Sequence, residues 1–187
     1  RWLTSACASV TEEAAANIPE PTPTTALAEA NLPIEIAIQG TVRQWAIMAE
    51  ASTFYADPEW ASEQATGEPD TPRCGDIQTA WASSGSDSVD WLELQFETPV
   101  FVTGINIVQT FNANQVSKVE LVGDFGRSLT IYEQIPAQVD QPCPYIMSIA
   151  VDKTRATYST VRITVDQSIL GLGWNEIDAV QLVGDRE

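Results

Sequence analysis

The chain of 187 residues is long enough to bury one substantial core, and its hydrophobic fraction of 44% with six Trp predicts a folded protein. Its 26 acidic and 9 basic residues leave a net charge of −17, which disfavours nucleic-acid binding and suits a bound cation. The sequence contains no histidine, so we expect a protein that is not an enzyme and in which any metal is bound by oxygen, as calcium is.

The N-terminal part of the chain differs in composition from the rest. Ala, Thr, Glu and Pro dominate residues 11–33, and Pro19, Pro21 and Pro23 disfavour a regular helix there. We predict a Pro/Thr-rich tether over residues 1–43 and one folded domain over residues 44–187.

The residues before Cys7 are Leu-Thr-Ser-Ala, which resemble the end of a bacterial lipoprotein signal. This resemblance implies a lipid on Cys7, and attachment to a membrane through that anchor alone. A leader without a lipid is the alternative.

Alternation of apolar and polar residues predicts β-strands in the remainder of the chain and is clearest over residues 89–96. Turn-forming residues separate the runs, including Thr98-Pro99 and the segment 123–126, where glycines predict a hairpin turn. Many short strands with frequent turns are typical of an all-β sandwich or barrel. The other predicted strands cover residues 100–109, 116–122, 128–133, 145–151, 160–165 and 176–183.

Cys74 and Cys143 lie in loop-like sequence, whereas the third cysteine, Cys7, lies in the leading segment. We therefore predict a disulfide between Cys74 and Cys143. Two free thiols are the alternative, because sequence alone does not determine pairing.

Five motifs stand out between residues 44 and 184. They are Gln64 to Asp70, Cys74-Gly75-Asp76 followed by Ala80-Trp81-Ala82, Trp91 to Leu94, Thr103-Gly104-Ile105, and Trp174 to Leu182. In order and spacing they resemble discoidin-like, galactose-binding-type domains, particularly those found with pappalysin-type metalloproteases and some F-box leucine-rich-repeat proteins. The resemblance implies a jelly-roll β-sandwich of about eight antiparallel strands, with a long loop beside the last strands.

The loop over residues 65–81 is polar and rich in turns, and the resemblance places Glu176 close to it. Asp70, Asp76, Thr79 and Glu176 supply carboxylate and hydroxyl oxygens, and loop carbonyls can complete the ligands of a calcium ion. We expect such an ion to hold the loop in place. Turn or capping roles for Asp70 and Asp76 are the alternative.

Candidate ligand-binding residues lie in two other loops. Trp60 and Tyr55 belong to the segment FYADPEW, and Asn112 and Asn114 belong to an amide-rich turn that can bond sugar hydroxyls or a protein backbone. A plain turn is the alternative for the two asparagines. The tryptophans within the family motifs are expected to pack beneath the loops: Trp81, Trp91 and Trp174.

These observations predict a non-catalytic binding module outside the cytoplasm, in the periplasm or at the cell surface. It would recognise a glycan or a protein through loops at one end of the sandwich. The alternative is a lipid-anchored structural or accessory subunit of a larger membrane or cell-envelope complex.

Overall fold

The computed structural model describes residues 40–140 and 143–187; Cys7 and most of the predicted tether lie outside this part of the chain. Eight antiparallel strands confirm the predicted all-β class, and two short 3-10 helices, Ser62–Ala65 and Asp124–Gly126, lie in the connections. The strands are β1 Thr41–Trp45, β2 Met48–Ala51, β3 Val89–Phe111, β4 Val116–Val122, β5 Ser128–Glu133, β6 Tyr145–Ala150, β7 Thr157–Asp166 and β8 Glu176–Asp185. No helix in the described residues has the length and apolar character of a membrane span.

Strand β3 passes through both layers of a jelly-roll sandwich. Its first half pairs with β2 and β7, and its second half pairs with β8 and β6. The pairings give one layer in the order β2-β3-β7-β4-β5 and a second in the order β1-β8-β3-β6. The core between the layers is built from apolar side chains that are almost fully buried, among them Leu92, Leu94, Ile105, Ile107, Ile163 and Leu182.

The strand break predicted at Thr98-Pro99 is wrong, because β3 continues through it. A register shift against β7 between Gln95 and Val100 accommodates Pro99, which has no N–H to donate. The side chain of Gln44 satisfies the neighbouring peptide: Thr98 N donates to Gln44 Oε1 at 3.0 Å, and Gln44 Nε2 donates to Thr98 O at 2.6 Å. The proline therefore marks an irregularity within one strand.

The hairpin predicted over residues 123–126 is confirmed. Strands β4 and β5 are antiparallel neighbours, and the turn between them holds Gly126 at a φ of +70°. Glycine adopts this backbone conformation at little cost.

A close approach of β3 and β8 at Gly184 generates a prediction. A Cβ added at Gly184 would lie 2.5 Å from the carbonyl oxygen of Phe101 and 2.6 Å from Cγ2 of Val100. We expect Gly184→Ala to lower the free energy of unfolding by about 1–3 kcal/mol, because the two strands must separate to admit the methyl group. Urea unfolding measures this effect.

Gly40→Ala is the matched control, since a Cβ at Gly40 meets nothing within 4 Å. We expect its unfolding midpoint to stay close to that of the unmodified protein. Equal midpoints for the two variants would contradict the packing described here.

Candidate functional site

A long connection between β2 and β3 covers one end of the sandwich. It is fixed to the start of β8 by an antiparallel bridge, in which Trp81 N donates to Ile177 O at 2.9 Å and Ile177 N donates to Trp81 O at 3.1 Å. A disulfide between Cys74 and Cys143 ties the same connection to the segment before β6. The structure thus contains the pairing that the sequence predicted.

A buried cluster of side-chain amides supports the loops at this end. Gln109, Gln115, Gln167 and Asn175 are all fully buried. Asn175 Nδ2 donates to Gln109 Oε1 at 3.0 Å, and Asn175 N donates to Gln167 Oε1 at 2.8 Å. Gln115 Nε2 donates to the carbonyl of Gly173 at 2.8 Å. Hydrogen bonds, rather than apolar packing, therefore set the positions of these loops.

Asp178 holds the first half of the predicted metal loop. Its buried carboxylate accepts from Thr71 Oγ1 at 2.6 Å, from Thr71 N at 3.1 Å and from Asp70 N at 3.4 Å. The hydroxyls of Thr71 and Thr79 lie 3.0 Å apart. Sequence reasoning did not select Asp178, although its spacing from Glu176 places both side chains on the same face of β8.

Glu176 is the other carboxyl group beneath this connection, and it is 0% exposed. Its Oε2 accepts from Ile77 N at 3.0 Å and its Oε1 accepts from Trp60 Nε1 at 3.3 Å. Burial raises the pKa of Glu176 from its usual 4.5 to about 8; the adjacent carboxyl of Asp76 adds to the rise, and the two N–H donors oppose it.

Three aromatic residues and two acidic residues, Asp76 and Glu176, surround a small opening, which we call the aromatic cleft. The ring of Tyr55 lies 5.3 Å from that of Trp60 and 5.5 Å from that of Trp174, edge to face in both cases. The cleft has a volume of about 80 Å³ and is lined by Tyr55, Trp60, Asp76, Ala82, Trp174 and Glu176. Tyr55 is 54% exposed and stands at its mouth.

A larger opening, which we call the polar pocket, lies on the other side of the disulfide-bonded segment. Its volume is about 410 Å³. Gln109, Thr110 and Asn112 line it, together with Phe111 and Tyr145. Gln109 Nε2 and Thr110 Oγ1 are buried and find no hydrogen-bond partner among the described residues.

The structure separates the residues predicted to bind ligand. Trp60 and Tyr55 meet in the aromatic cleft, while Asn112 lines the polar pocket and donates from Nδ2 to the carbonyl of Leu172 at 2.7 Å. Asn114 borders neither opening in its contacts: its Nδ2 donates to the carbonyl of Ala137 at 2.6 Å. Trp174, predicted to pack beneath the loops, also forms a wall of the cleft.

The four predicted calcium ligands are divided between two groups. Asp76 and Glu176 meet at the aromatic cleft, whereas Asp70 and Thr79 lie near Asp178, with Asp70 exposed. Over residues 40–140 and 143–187, no group of three or more Asp, Glu or Cys side chains is arranged to hold a metal ion. Calcium binding stays a prediction.

The fold and this loop-covered end define a discoidin-like, galactose-binding-like domain. A family model described as "Pappalysin-1, SD scarf domain, C-terminal" matches residues 35–187, and the chain belongs to that family. The resemblance expected from the motifs is thereby confirmed. No curated protein sequence matches the chain.

Solved structures share the fold at low sequence identity. A chitosan-binding module of a chitosanase/glucanase from Paenibacillus sp. IK-5 superposes with a TM-score of 0.54 at 16% identity, covering 73% of this chain and 92% of that one. A family 32 carbohydrate-binding module from C. perfringens NanJ, solved with galactose, superposes with a TM-score of 0.54 at 14% identity, covering 76% of this chain and 99% of that one. An F5/8 type C domain from Bacteroides fragilis superposes with a TM-score of 0.54 at 12% identity, covering 80% of this chain and 98% of that one.

The buried Glu176 predicts a pH dependence of stability. Because its pKa of about 8 in the folded protein exceeds the usual value, the folded state binds this proton more tightly than the unfolded chain does. The stabilisation that comes from protonated Glu176 is complete below about pH 4.5 and is lost as the pH rises through 8. The glutamine in Glu176→Gln cannot ionise, so we expect the free energy of unfolding of this variant to depend less on pH. At alkaline pH we expect that free energy to exceed the value for the unmodified protein by about 1–3 kcal/mol.

Urea unfolding in chelator-treated buffer across this pH range measures the profile. Glu68→Gln, at an exposed position, controls for the loss of one negative charge. Parallel pH profiles for the unmodified protein and Glu176→Gln would show that this carboxyl group does not titrate as described.

Proposed function

We propose that this domain is a non-catalytic, extracytoplasmic module that binds a glycan in the polar pocket. The observation that carries the proposal is the pocket itself, a concave opening whose lining includes Gln109, Thr110 and Tyr145. Beneath its surface, Gln109 Nε2 and Thr110 Oγ1 have no hydrogen-bond partner among the described residues, and a buried polar group in that state costs about 1–3 kcal/mol. A small shift of the lining would bring these atoms within reach of the hydroxyl groups of a bound ligand.

The shape and composition of the pocket support a sugar. Its volume of about 410 Å³ falls within the range typical of small-molecule sites. The rings of Phe111 and Tyr145 offer apolar faces for the C–H groups of a pyranose, and the surrounding amide and carbonyl groups offer donors and acceptors for its hydroxyls.

The similar structures add to this proposal. They include a chitosan-binding module and a module solved in complex with galactose. These ligands belong to those proteins, and the low identities leave the sugar bound here to be found by experiment. We propose a glycan in preference to a protein because the pocket is concave and of monosaccharide to disaccharide size.

The proposed location outside the cytoplasm is supported by the Cys74–Cys143 disulfide, since such bonds persist mainly in oxidising compartments. The lipid on Cys7, which lies outside the described part of the chain, and the role as a subunit of an envelope complex stay predictions. Mass spectrometry of natively produced protein tests the lipid, and affinity purification without crosslinking tests the complex.

Thr110→Val tests glycan binding at the polar pocket. The change keeps the shape of the side chain but removes the hydroxyl, so we expect unchanged or slightly higher stability and an affinity about three- to tenfold weaker for the best ligand on a glycan array. Titration calorimetry measures the affinity, and thermal unfolding measures the stability.

Thr103→Val is the matched control, because Thr103 lies on the same strand but does not line the pocket. We expect it to bind the ligand as the unmodified protein does. An array without binding in any glycan class, or a Thr110→Val variant with full affinity, would overturn the proposal.

A further inference from the structure

The aromatic cleft combines two features that attract the same kind of ligand. Three aromatic residues, Tyr55, Trp60 and Trp174, line one opening, and the acidic residues Asp76 and Glu176 line it with them. Aromatic faces attract cations through the electron density of the ring, most strongly when water is excluded. Carboxyl groups attract cations directly and can accept their N–H hydrogen bonds.

The carboxyl groups of the cleft lack a cationic partner within the described residues. The ion pairs found there join Lys118 to Glu120, Lys153 to Asp185 and Arg162 to Glu93. Among the described residues, Glu176 accepts hydrogen bonds from Ile77 N and Trp60 Nε1, and its carboxyl group lies beside that of Asp76. Because its raised pKa leaves Glu176 largely protonated at neutral pH, the attraction for a cation from outside the chain comes from the carboxyl group of Asp76.

The lining of the cleft selects an organic cation over a metal ion. Calcium requires six to eight oxygen ligands. Four of the six lining residues, the three aromatic residues and Ala82, have side chains that are not calcium ligands. An ammonium group bearing carbon substituents contacts rings and carboxyl groups at once.

The size of the cleft limits what can enter it. A volume of about 80 Å³ corresponds to about two or three water-sized groups, at about 30 Å³ each. A pyranose ring with its substituents is too large, whereas the terminal methylene and ammonium groups of a slender chain fit. The half-exposed Tyr55 leaves the mouth accessible to such a chain.

We propose that the aromatic cleft binds an alkylammonium group at the end of a slender chain, as a lysine side chain of a partner protein presents it. The acidic character of the whole chain, with a net charge of −17, would attract a basic partner toward this site. The proposal concerns an opening other than the polar pocket, so it can fail or succeed independently of glycan binding.

Titration with butylammonium chloride, followed by the indole N–H signals in two-dimensional NMR spectra, tests the proposal. Trp60 is a direct reporter, since its indole N–H contacts Glu176. We expect saturable shifts of the Trp60 and Trp174 signals and none for Trp91, whose ring packs against Arg162 outside the cleft. Butanol, the neutral probe of similar length, should bind at least tenfold more weakly. Equal binding of the two would show that the cleft recognises only the alkyl chain and would overturn the proposal.

Two variants locate the binding site. We expect Tyr55→Ala to weaken butylammonium binding about two- to thirtyfold, and Asp76→Asn to weaken it to a similar extent. Phe54→Ala and Asp87→Asn are matched controls, since both are exposed and neither lines the cleft. Thr110→Val should also bind normally, which separates this site from the polar pocket. Unchanged binding in both Tyr55→Ala and Asp76→Asn would place the ammonium elsewhere and overturn the proposal.

Further probes identify the source of the group. Nα-acetyl-lysine amide binding more tightly than choline or glucosamine would support a lysine-bearing partner. Shifts produced by glucosamine but not by butylammonium would overturn the proposal in favour of sugar recognition. The protein is also titrated with calcium chloride. If calcium shifts the Trp60 signal and butylammonium does not, the proposal is overturned in favour of the metal site.

Discussion

The bridge between Trp81 and Ile177 is the interaction on which the loop-covered end of this domain depends. It attaches a connection of more than thirty residues, between Ala51 and Val89, to the first residues of β8. Because Ile177 lies between Glu176 and Asp178, the same attachment brings both carboxyl groups beneath the connection. Each then receives backbone N–H donors from it, Glu176 from Ile77 and Asp178 from Thr71. One short piece of antiparallel pairing thus determines the path of the loop and the position of the acidic groups.

The polar groups below the loops give this end of the molecule a different character from the core. Apolar side chains fill the space between the two layers, but Gln109, Gln115, Gln167 and Asn175 occupy its loop-covered end. An apolar core tolerates repacking, whereas a buried amide must keep its particular partners. Loops held by directed hydrogen bonds can therefore have irregular paths and still present a defined surface.

Sequence patterns predicted the architecture well and the openings only in part. Alternation identified the strands of the core, and the motifs identified the family and placed Asp76 near Glu176. Strands β1 and β2 escaped prediction because they span only five and four residues, too few for a clear alternation of apolar and polar side chains. The predicted strand break at Thr98-Pro99 was wrong because a proline is a strong local signal for the end of a strand. The hydrogen bonds from the side chain of Gln44 that satisfy this part of the strand are visible only in the tertiary structure.

The aromatic cleft could not be derived from local sequence. Tyr55 and Trp60 are close along the chain, but Trp174 reaches them only because the loop before β8 folds back over the sandwich. The burial of Glu176 depends on the same arrangement. Polar residues in a loop suggested metal ligands, since composition describes the atoms available and does not describe their distances or what surrounds them.

The two openings are separated by one short segment, which consists of Cys74, Gly75 and Asp76. The first two residues border the polar pocket and the third borders the aromatic cleft, so one covalently anchored segment is the wall that both share. If an occupant on one side moves this wall, the affinity on the other side changes, and reciprocity requires the two occupants to influence each other by the same free energy. A disulfide that restrains the wall limits this coupling, so its reduction would alter communication between the sites as well as the stability of the domain.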